Sequence, residues 1–238
     1  RAAQDRVRVS TIAAESILHD LGAIGIVSSD SQGMGRIGQV VTRTWQLAHH
    51  MKAVRGGGFD EVSGEGDDNP RILRYIAKYT LNPAIAHGLD HEVGSLEPGK
   101  LADIVLWHPA FFGVKPTTII KGGFVAAAQV GDGDGSTRSS QPLVYRPMWG
   151  GLGLAPARLS VNFVSQSATL GIPNGAHLQR RPVAVRDVRS TFKDALIHNT
   201  ASPEVKVDPE SLDVTIDGEL VAYEPAEKLP LAQRYFIV

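Results

Sequence analysis

Residues 28–39, SSDSQGMGRIGQ, combine two patterns that perform different chemistry. Gly33, Gly35 and Gly38 give the G-x-G-x-x-G spacing at which backbone amides bind the pyrophosphate of a dinucleotide. Asp30 stands three residues before the first of these glycines, shortly after an apolar run. The stretch is therefore either a nucleotide-binding loop or an acidic ligand at the mouth of a barrel.

A nucleotide-binding loop needs more context than these glycines supply. In a Rossmann fold a strand runs almost directly into the first glycine, and a second strand about 20 residues on ends in an acidic residue. Here five polar residues, 28–32, precede Gly33, and AVRGGGFDEV at 53–62 has glycines where the second strand should be. A Rossmann-type NAD-dependent oxidoreductase is therefore the weaker alternative.

Asp30 fits a different kind of site. A carboxylate just past the C-terminal end of a parallel strand, with a helix to follow, stands where (β/α)8 barrels place catalytic residues. A loop or helix-capping aspartate has the same local signature, so one residue does not decide between the two. Arg6 and Arg8 lie upstream in a polar segment, where a solvated basic stretch is the alternative to a functional role.

The eight histidines do not decide either. No HxH, HExxH or G-x-S-x-G motif occurs. His49 and His50 are adjacent on a predicted helix and point to different faces, while Gly88 favours a loop between His87 and His91. We interpret all eight as surface or structural histidines. The absence of cysteine excludes a disulfide framework and any Cys-ligated metal site.

Length and composition limit the classes of function. The 238 residues suit one large domain or two small ones. With 24 Lys and Arg against 25 Asp and Glu, no basic face for nucleic acid or an anionic membrane is expected. No run approaches the roughly 20 apolar residues of a membrane span, and the lack of cysteine is compatible with the cytoplasm. We interpret the polar opening RAAQDRVRVS as the interior of a longer protein.

The elements that would position Asp30 form one α/β unit over residues 11–52. TIAAESILHDL predicts a helix with Thr11 as its N-cap and Gly22 as its end, and AIGIVSS at 23–29 predicts a short buried strand. A second helix is predicted by apolar residues at helical spacing, namely Ile37, Val41, Thr44, Ala48 and Met51.

Further along the chain, Asn69-Pro70 is predicted to open a helix and Asn82-Pro83 to close it. The sequence then changes to turns and short strands. Gly122-Gly123 and Asp217-Gly218 are predicted to form the turns of two β-hairpins.

Several blocks resemble one family. SSDSQGMGRIGQVVTRTWQLAHHMK closely resembles the stretch of the urease alpha (large) subunit that is usually written SSDSQAMGR and followed by a helix with RTWQ. GSLEPGKLADIVLW, KPTTIIKGG, YRPMWG and LPLAQRYF resemble later urease blocks in the family's order. The first of these four alone would indicate only the wider amidohydrolase superfamily. The set together is specific to urease.

The resemblance implies a fold and its boundaries. The fold class expected is α/β, the C-terminal part of a metal-dependent-hydrolase (β/α)8 TIM barrel interrupted by part of a β-sandwich domain. Barrel strand–helix units with the active-site loop would occupy 1–92 and the β-sandwich segment 93–145. Residues 146–238 would return to the barrel periphery and end in a hairpin.

The same resemblance implies the site residues. Urease holds two nickel ions with histidines, a carbamylated lysine and one aspartate, and only the aspartate falls in this chain, at Asp30. Arg6 matches the arginine that hydrogen-bonds the urea oxygen, and is the implied catalytic residue. Gly33 matches a residue, usually alanine, whose carbonyl accepts from the urea amide, and Met34 lines the pocket.

Function and partners follow from the resemblance as expectations. The activity implied is nickel-dependent hydrolysis of urea to ammonia and carbamate in the cytoplasm, with this fragment alone inactive. Implied partners are urea, the urease beta and gamma subunits in a trimer of heterotrimers, and nickel-insertion accessory proteins. A non-catalytic scaffold fragment is the remaining alternative.

Overall fold

The computed structural model describes residues 8–30, 33, 37–56, 68–113, 116–128, 144–145, 154–171, 178–222, 224 and 227. These residues fall into two compact units. The first contains the described residues up to Asn82 and those within Phe192–Ala232, and the second contains the described residues of Pro83–Thr191. Asp30 belongs to the first unit.

Helix α1 (Val9–Leu21) opens the first unit and ends as the sequence predicts, at Gly22. Gly22 adopts φ 81, the left-handed conformation that glycine tolerates, and its N–H donates to the carbonyl of His19. The predicted start was wrong. Arg8 holds the N-cap position, and Thr11 lies inside the first turn, where its hydroxyl donates to the Arg8 carbonyl at 2.8 Å.

A small antiparallel sheet packs against α1. Its strands are β7 (Val205–Val207), β8 (Val214–Ile216) and β9 (Glu219–Leu220). Asp217-Gly218 forms the β8–β9 turn, which confirms the second predicted hairpin. The buried core of this packing consists of Ala14, Val214, Ile216 and Val221.

Three helices complete this part of the chain. Helix α2 (Ile37–Arg55) confirms the second predicted helix and buries Thr44, Ala48 and Met51. Helix α3 (Asn69–Ala77) begins at the predicted Asn-Pro pair. Asn82-Pro83 was wrongly predicted to close it: both residues lie in the first turn of α4 (Leu81–Ala86). Proline is tolerated there because the first amides of a helix have no intrahelical acceptor.

The predicted strand at 23–29 is not formed. Residues 25–30 pair with no strand among those the structure describes. The backbone carbonyls of residues 22–25 accept hydrogen bonds from the side chains of Lys193, Lys78 and Asn82 instead of from a neighbouring strand. An apolar run satisfies the sequence criterion for a buried strand, but a strand also requires a neighbour that supplies ladder hydrogen bonds.

The second unit contains the other strands. β1 (Ile104–Trp107), β2 (Pro116–Lys121), β3 (Phe124–Ala128) and β4 (Val144–Tyr145) form an antiparallel sheet in sequence order. Gly122-Gly123 makes the β2–β3 turn, which confirms the first predicted hairpin. The remaining elements are α5 (Ala155–Arg158), β5 (Val161–Val164), α6 (Gln166–Gly171) and β6 (Arg181–Ala184), with β5 and β6 parallel.

The class is therefore mixed α/β, as predicted. Over the described ranges the strands form three small sheets, and none of these closes into a barrel. Membership in a (β/α)8 barrel and the boundaries at 92 and 145 stay predictions. None of the helices that the structure describes is long and apolar enough to cross a membrane.

Candidate functional site

Asp30 is presented at the end of the segment that follows α1. Its side chain is exposed, and its backbone adopts φ 50, in the left-handed region. The Asp30 carbonyl accepts a hydrogen bond from the Gly33 amide at 3.0 Å, the hydrogen bond between residues i and i+3 of a turn. Aspartate is one of the few non-glycine residues that tolerate this conformation. The turn therefore holds a carboxylate out toward solvent.

Gly33 leaves room for that carboxylate. A Cβ built on Gly33 would lie 2.7 Å from both carboxylate oxygens of Asp30 and 2.9 Å from its Cγ. These distances are shorter than van der Waals contact, so an alanine here would require the carboxylate to turn away. Of the four site residues implied by the resemblance, Asp30 and Gly33 are thus in direct proximity.

The Asp30 carboxylate is available for a ligand. Within the described part of the chain, no side chain or amide donates a hydrogen bond to it, and no cation pairs with it. The same residues contain no group of three or more His, Asp or Glu that could hold a metal ion. Asp30 therefore fits the role of one hard oxygen ligand.

A cavity of about 330 Å3 lies along the segment that leads to Asp30. Its lining reaches Ser29, the residue directly before Asp30. Polar side chains from four parts of the first unit contribute to the lining: His19, Ser28, Arg43, Thr44 and Lys78. The residues before the candidate ligand thus face a space with hydroxyl, imidazole and cationic groups.

Three titratable groups of this lining, His19, Lys78 and Tyr75, have shifted pKa values. Burial, together with the positive charge of Lys78, lowers the pKa of His19 to about 4. Burial, reinforced by Arg74 and Lys193 and opposed by Asp20, lowers the pKa of Lys78 to about 7. His19 is therefore neutral at physiological pH, and its Nδ1 is buried without a hydrogen-bond partner among the described residues.

A buried ion-pair network beneath this region escaped the sequence analysis. Asp20 of α1 is fully buried and accepts from the Nε of Arg71 at 3.0 Å, from Arg55 at 3.0 Å and from the Tyr75 hydroxyl at 3.2 Å. Burial lowers the pKa of Arg71, but the hydrogen bonds and charges of Asp20 and Asp68 outweigh it, and the net shift is upward. Burial, and then Asp20, raise the pKa of Tyr75. The network joins α1, α2 and α3.

Lys78, Asn82 and Asn199 are the other fully buried polar side chains that were missed. A signal for part of this set was present in the sequence. Arg71, Tyr75, Lys78 and Asn82 follow one another at spacings of four, three and four, the period of one helical face. A polar stripe with that period indicates a solvent-exposed helix face, unless the residues that pack against the stripe are known.

The remaining predicted residues are distributed as follows. Arg6 and Met34 lie outside the described residues, so their roles stay predictions. His49 is exposed and His50 half-buried on α2, and His87 and His91 lie in turns after α4. No described histidine takes part in a metal-ligating group.

A model of the amidohydrolase family matches residues 1–137, more than half of the 238-residue chain. The chain therefore belongs to the amidohydrolase family. The match includes Asp30, Gly33 and strands β1 to β3. Family membership makes the protein a hydrolase of a superfamily that is typically metal-dependent, and it leaves the dinucleotide interpretation of 33–38 without support.

Proposed function

We propose that the chain is the C-terminal portion of a urease alpha subunit, which hydrolyses urea to ammonia and carbamate at a pair of nickel ions. The observation that carries the proposal is the exposed carboxylate of Asp30, which has no donor among the described residues. Asp30 falls inside SSDSQGMGR, the block that resembles urease most closely. Family membership supports the hydrolase part of the proposal.

The chemistry of urea explains why such residues are needed. Urea is a resonance-stabilised and poorly electrophilic carbonyl compound, so bound metal ions supply carbonyl polarisation and an activated water. Carboxylate and imidazole ligands suit nickel, and Asp30 would provide the carboxylate. The other ligands implied by the resemblance, histidines and a carbamylated lysine, lie outside this chain.

The other implied residues bind and orient the substrate. Arg6 would donate charge-assisted hydrogen bonds to the urea oxygen, where negative charge builds in the transition state. The carbonyl of Gly33 would accept from the urea amide, which selects a small diamide over an ester. Met34 would form an apolar wall of the pocket.

The test replaces Asp30 in the complete subunit. Asp30→Asn keeps the size of the side chain but removes the anionic ligand, so we expect nickel content or urea hydrolysis to fall by orders of magnitude with the fold intact. Nickel per subunit and ammonia release are the measurements, and circular dichroism checks the fold.

Asp187→Asn is the matched control. Asp187 is also exposed, has φ 53 and closes the same kind of turn, with its carbonyl accepting from the Ser190 amide at 3.0 Å. It should retain nickel and activity. Two bound nickel ions and wild-type turnover in Asp30→Asn would contradict the proposal.

The proposal includes the larger assembly. The chain would form the last strand–helix units of a (β/α)8 barrel and part of a β-sandwich domain in a cytoplasmic enzyme. The subunit would assemble with urease beta and gamma subunits as a trimer of heterotrimers and receive nickel from accessory proteins. Native mass spectrometry of the complete subunit expressed with its neighbours tests the stoichiometry.

A further inference from the structure

The backbone that leads to Asp30 is bound by a row of side chains rather than by neighbouring strands. Arg74, Lys78 and Asn82, called the polar row here, are spaced four residues apart: Arg74 lies in α3, Lys78 is its C-cap, and Asn82 lies in the first turn of α4. Arg74 donates to the carbonyl of Asp20 at the end of α1 at 2.6 Å. The Lys78 Nζ donates to the Ile24 carbonyl, and Asn82 Nδ2 donates to the Gly25 carbonyl at 3.0 Å.

The polar row also binds a backbone amide of the segment. The Val27 amide donates to the backbone carbonyl of Lys78 at 3.0 Å. Val27 is only three residues before Asp30, and three residues span at most about 10 Å. Fixing Val27 therefore confines the place where the Asp30 carboxylate is held.

Residues 193–199 bind both the segment and the polar row, and the Lys193 Nζ donates to the Gly22 carbonyl at 3.2 Å. The Lys78 Nζ donates to Asn199 Oδ1 at 2.5 Å, and Asn82 Oδ1 accepts from the Ile197 amide at 2.8 Å. Gly25 allows this close approach, because a Cβ there would lie 2.7 Å from Cδ1 of Leu196. The polar row and residues 193–199 thus both hold the segment in place.

We propose that the polar row positions Asp30 for metal binding, with Lys78 and Asn82 as positioning residues that act through the backbone of Ile24 to Val27. The inference rests on the proposed function, because it needs Asp30 to be a ligand. It assigns these side chains a role that a contribution to stability alone does not explain.

Energetics supports a positioning role. Lys78 and Asn82 are fully buried, and the hydrogen-bonding partners of the Lys78 Nζ are a carbonyl and an amide oxygen. Burial accordingly lowers the pKa of Lys78 to about 7, which shows that its charge is held at a cost. Apolar residues of similar volume often replace a whole buried ion pair without loss of stability, whereas removal of one partner leaves the other unsatisfied. Asn82 binds three separate backbone atoms, the carbonyls of Gly25 and Ile197 and the Ile197 amide, and so fixes their relative positions.

The test measures nickel affinity and backbone protection in the complete subunit. Asn82→Ala removes the donor to Gly25, and Lys78→Met removes the donor to Ile24 while it keeps the apolar length of the side chain. We expect each to weaken nickel binding by about 10- to 100-fold, the effect typical of residues that orient a ligand. In the metal-free protein, amide hydrogen exchange of residues 27–30 should become faster.

Ser10→Ala is the matched control. It also removes a buried side-chain hydrogen bond, from Ser10 to the Leu212 carbonyl at 3.0 Å, but touches no part of the Asp30 segment. It should keep wild-type nickel affinity and exchange at 27–30. If Asn82→Ala fails to fold, Lys78→Met carries the test, since methionine fills the space without a charge to bury.

A double-mutant cycle separates positioning from general destabilisation. If Asn82 acts through Asp30, Asn82→Ala should cause little further loss of nickel affinity once Asp30→Asn is present. Additive losses, or wild-type affinity in both single variants while Asp30→Asn loses nickel, would overturn the positioning role alone. Equal nickel binding by the wild type and Asp30→Asn would overturn the proposed function and this inference with it.

Discussion

Two aspartates ten residues apart show how residue environment assigns roles. Asp20 is fully buried and its carboxylate already accepts from Arg55, Arg71 and Tyr75. Asp30 is exposed, and no described residue donates to it. A carboxylate whose oxygens are saturated by cations has little to offer a metal ion, whereas a free one has its full ligand capacity. The same residue type is therefore structural at position 20 and a candidate ligand at position 30.

A pH dependence follows from His19. Its pKa is lowered from 6.5 to about 4 in the folded chain, so between these values the unfolded chain binds a proton that the folded chain does not. Stability should therefore fall as pH decreases from 6.5 toward 4, by on the order of 3 kcal/mol at most. The 3.9 Å approach of His19 to Glu15 is accordingly no ion pair at neutral pH.

His19→Gln should remove this component of the acid sensitivity. The measurement is the thermal unfolding midpoint of the complete protein from pH 7 to pH 4, compared between variant and wild type. His49→Gln, at an exposed histidine of α2, should keep the wild-type pH profile. Parallel pH profiles for His19→Gln and the wild type would contradict the lowered pKa of His19 in the folded protein.

At the scale of the residue, sequence reasoning found the position of Asp30 but not its geometry. The glycine spacing predicted a tight turn, but the amino-acid sequence does not show that Gly33 leaves space for the Asp30 carboxylate. That relation depends on a side-chain direction, which spacing does not encode. The resemblance implies the role of Asp30 as a metal ligand, which stays a prediction, and the structure shows the exposed carboxylate and its turn.

Helix α1 is joined to α2 and α3 by the Asp20 network rather than by apolar contacts alone. Asp20→Asn removes the negative charge against which Arg71, 1% exposed, is buried. Breaking a buried ion pair from one side typically costs about 3–5 kcal/mol, because the other charge stays buried with less compensation. We expect a loss of stability of that size in chemical denaturation, with a lower midpoint.

The control for this prediction is an ion pair of the same chemistry at the surface. Glu204 and Lys206 pair at 3.0 Å with side chains 65% and 69% exposed. Exposed pairs contribute about 0–1 kcal/mol, so Glu204→Gln should change the midpoint little. Equal effects of the two substitutions would contradict the view that the Asp20 network holds the helices together.

Elements were predictable where apolar spacing determined them. Helix α2 buries Thr44, Ala48 and Met51 of the residues that its period marks, and both hairpins form at the predicted Gly-Gly and Asp-Gly turns. The predicted end of α3 at Asn82-Pro83 and the predicted strand at 23–29 were wrong for one shared reason. There Lys78 and Asn82, rather than apolar packing, determine the backbone path. Hydrophobic periodicity carries no information on which carbonyl a buried polar side chain will bind.

At the scale of the whole molecule, the described residues leave several large apolar side chains exposed. Strands β1 and β3 alone expose large fractions of Val105, Leu106, Phe124 and Val125. Exposed apolar surface, where it is contiguous, commonly marks an interface or a tendency to aggregate. Under the proposed function, the rest of the alpha subunit and its partner chains would cover such surface.

The last prediction is that this 238-residue chain alone does not hydrolyse urea. The resemblance places only one of the expected nickel ligands in it, and the described residues hold no group of three candidate ligands. One carboxylate does not hold two divalent ions against water. We would express residues 1–238 alone, add nickel and bicarbonate, and measure ammonia release from urea, with the complete subunit as the positive control. Sustained turnover by the purified fragment would mean that the site is built from other residues, with His49, His50, His87 and His91 the first to substitute.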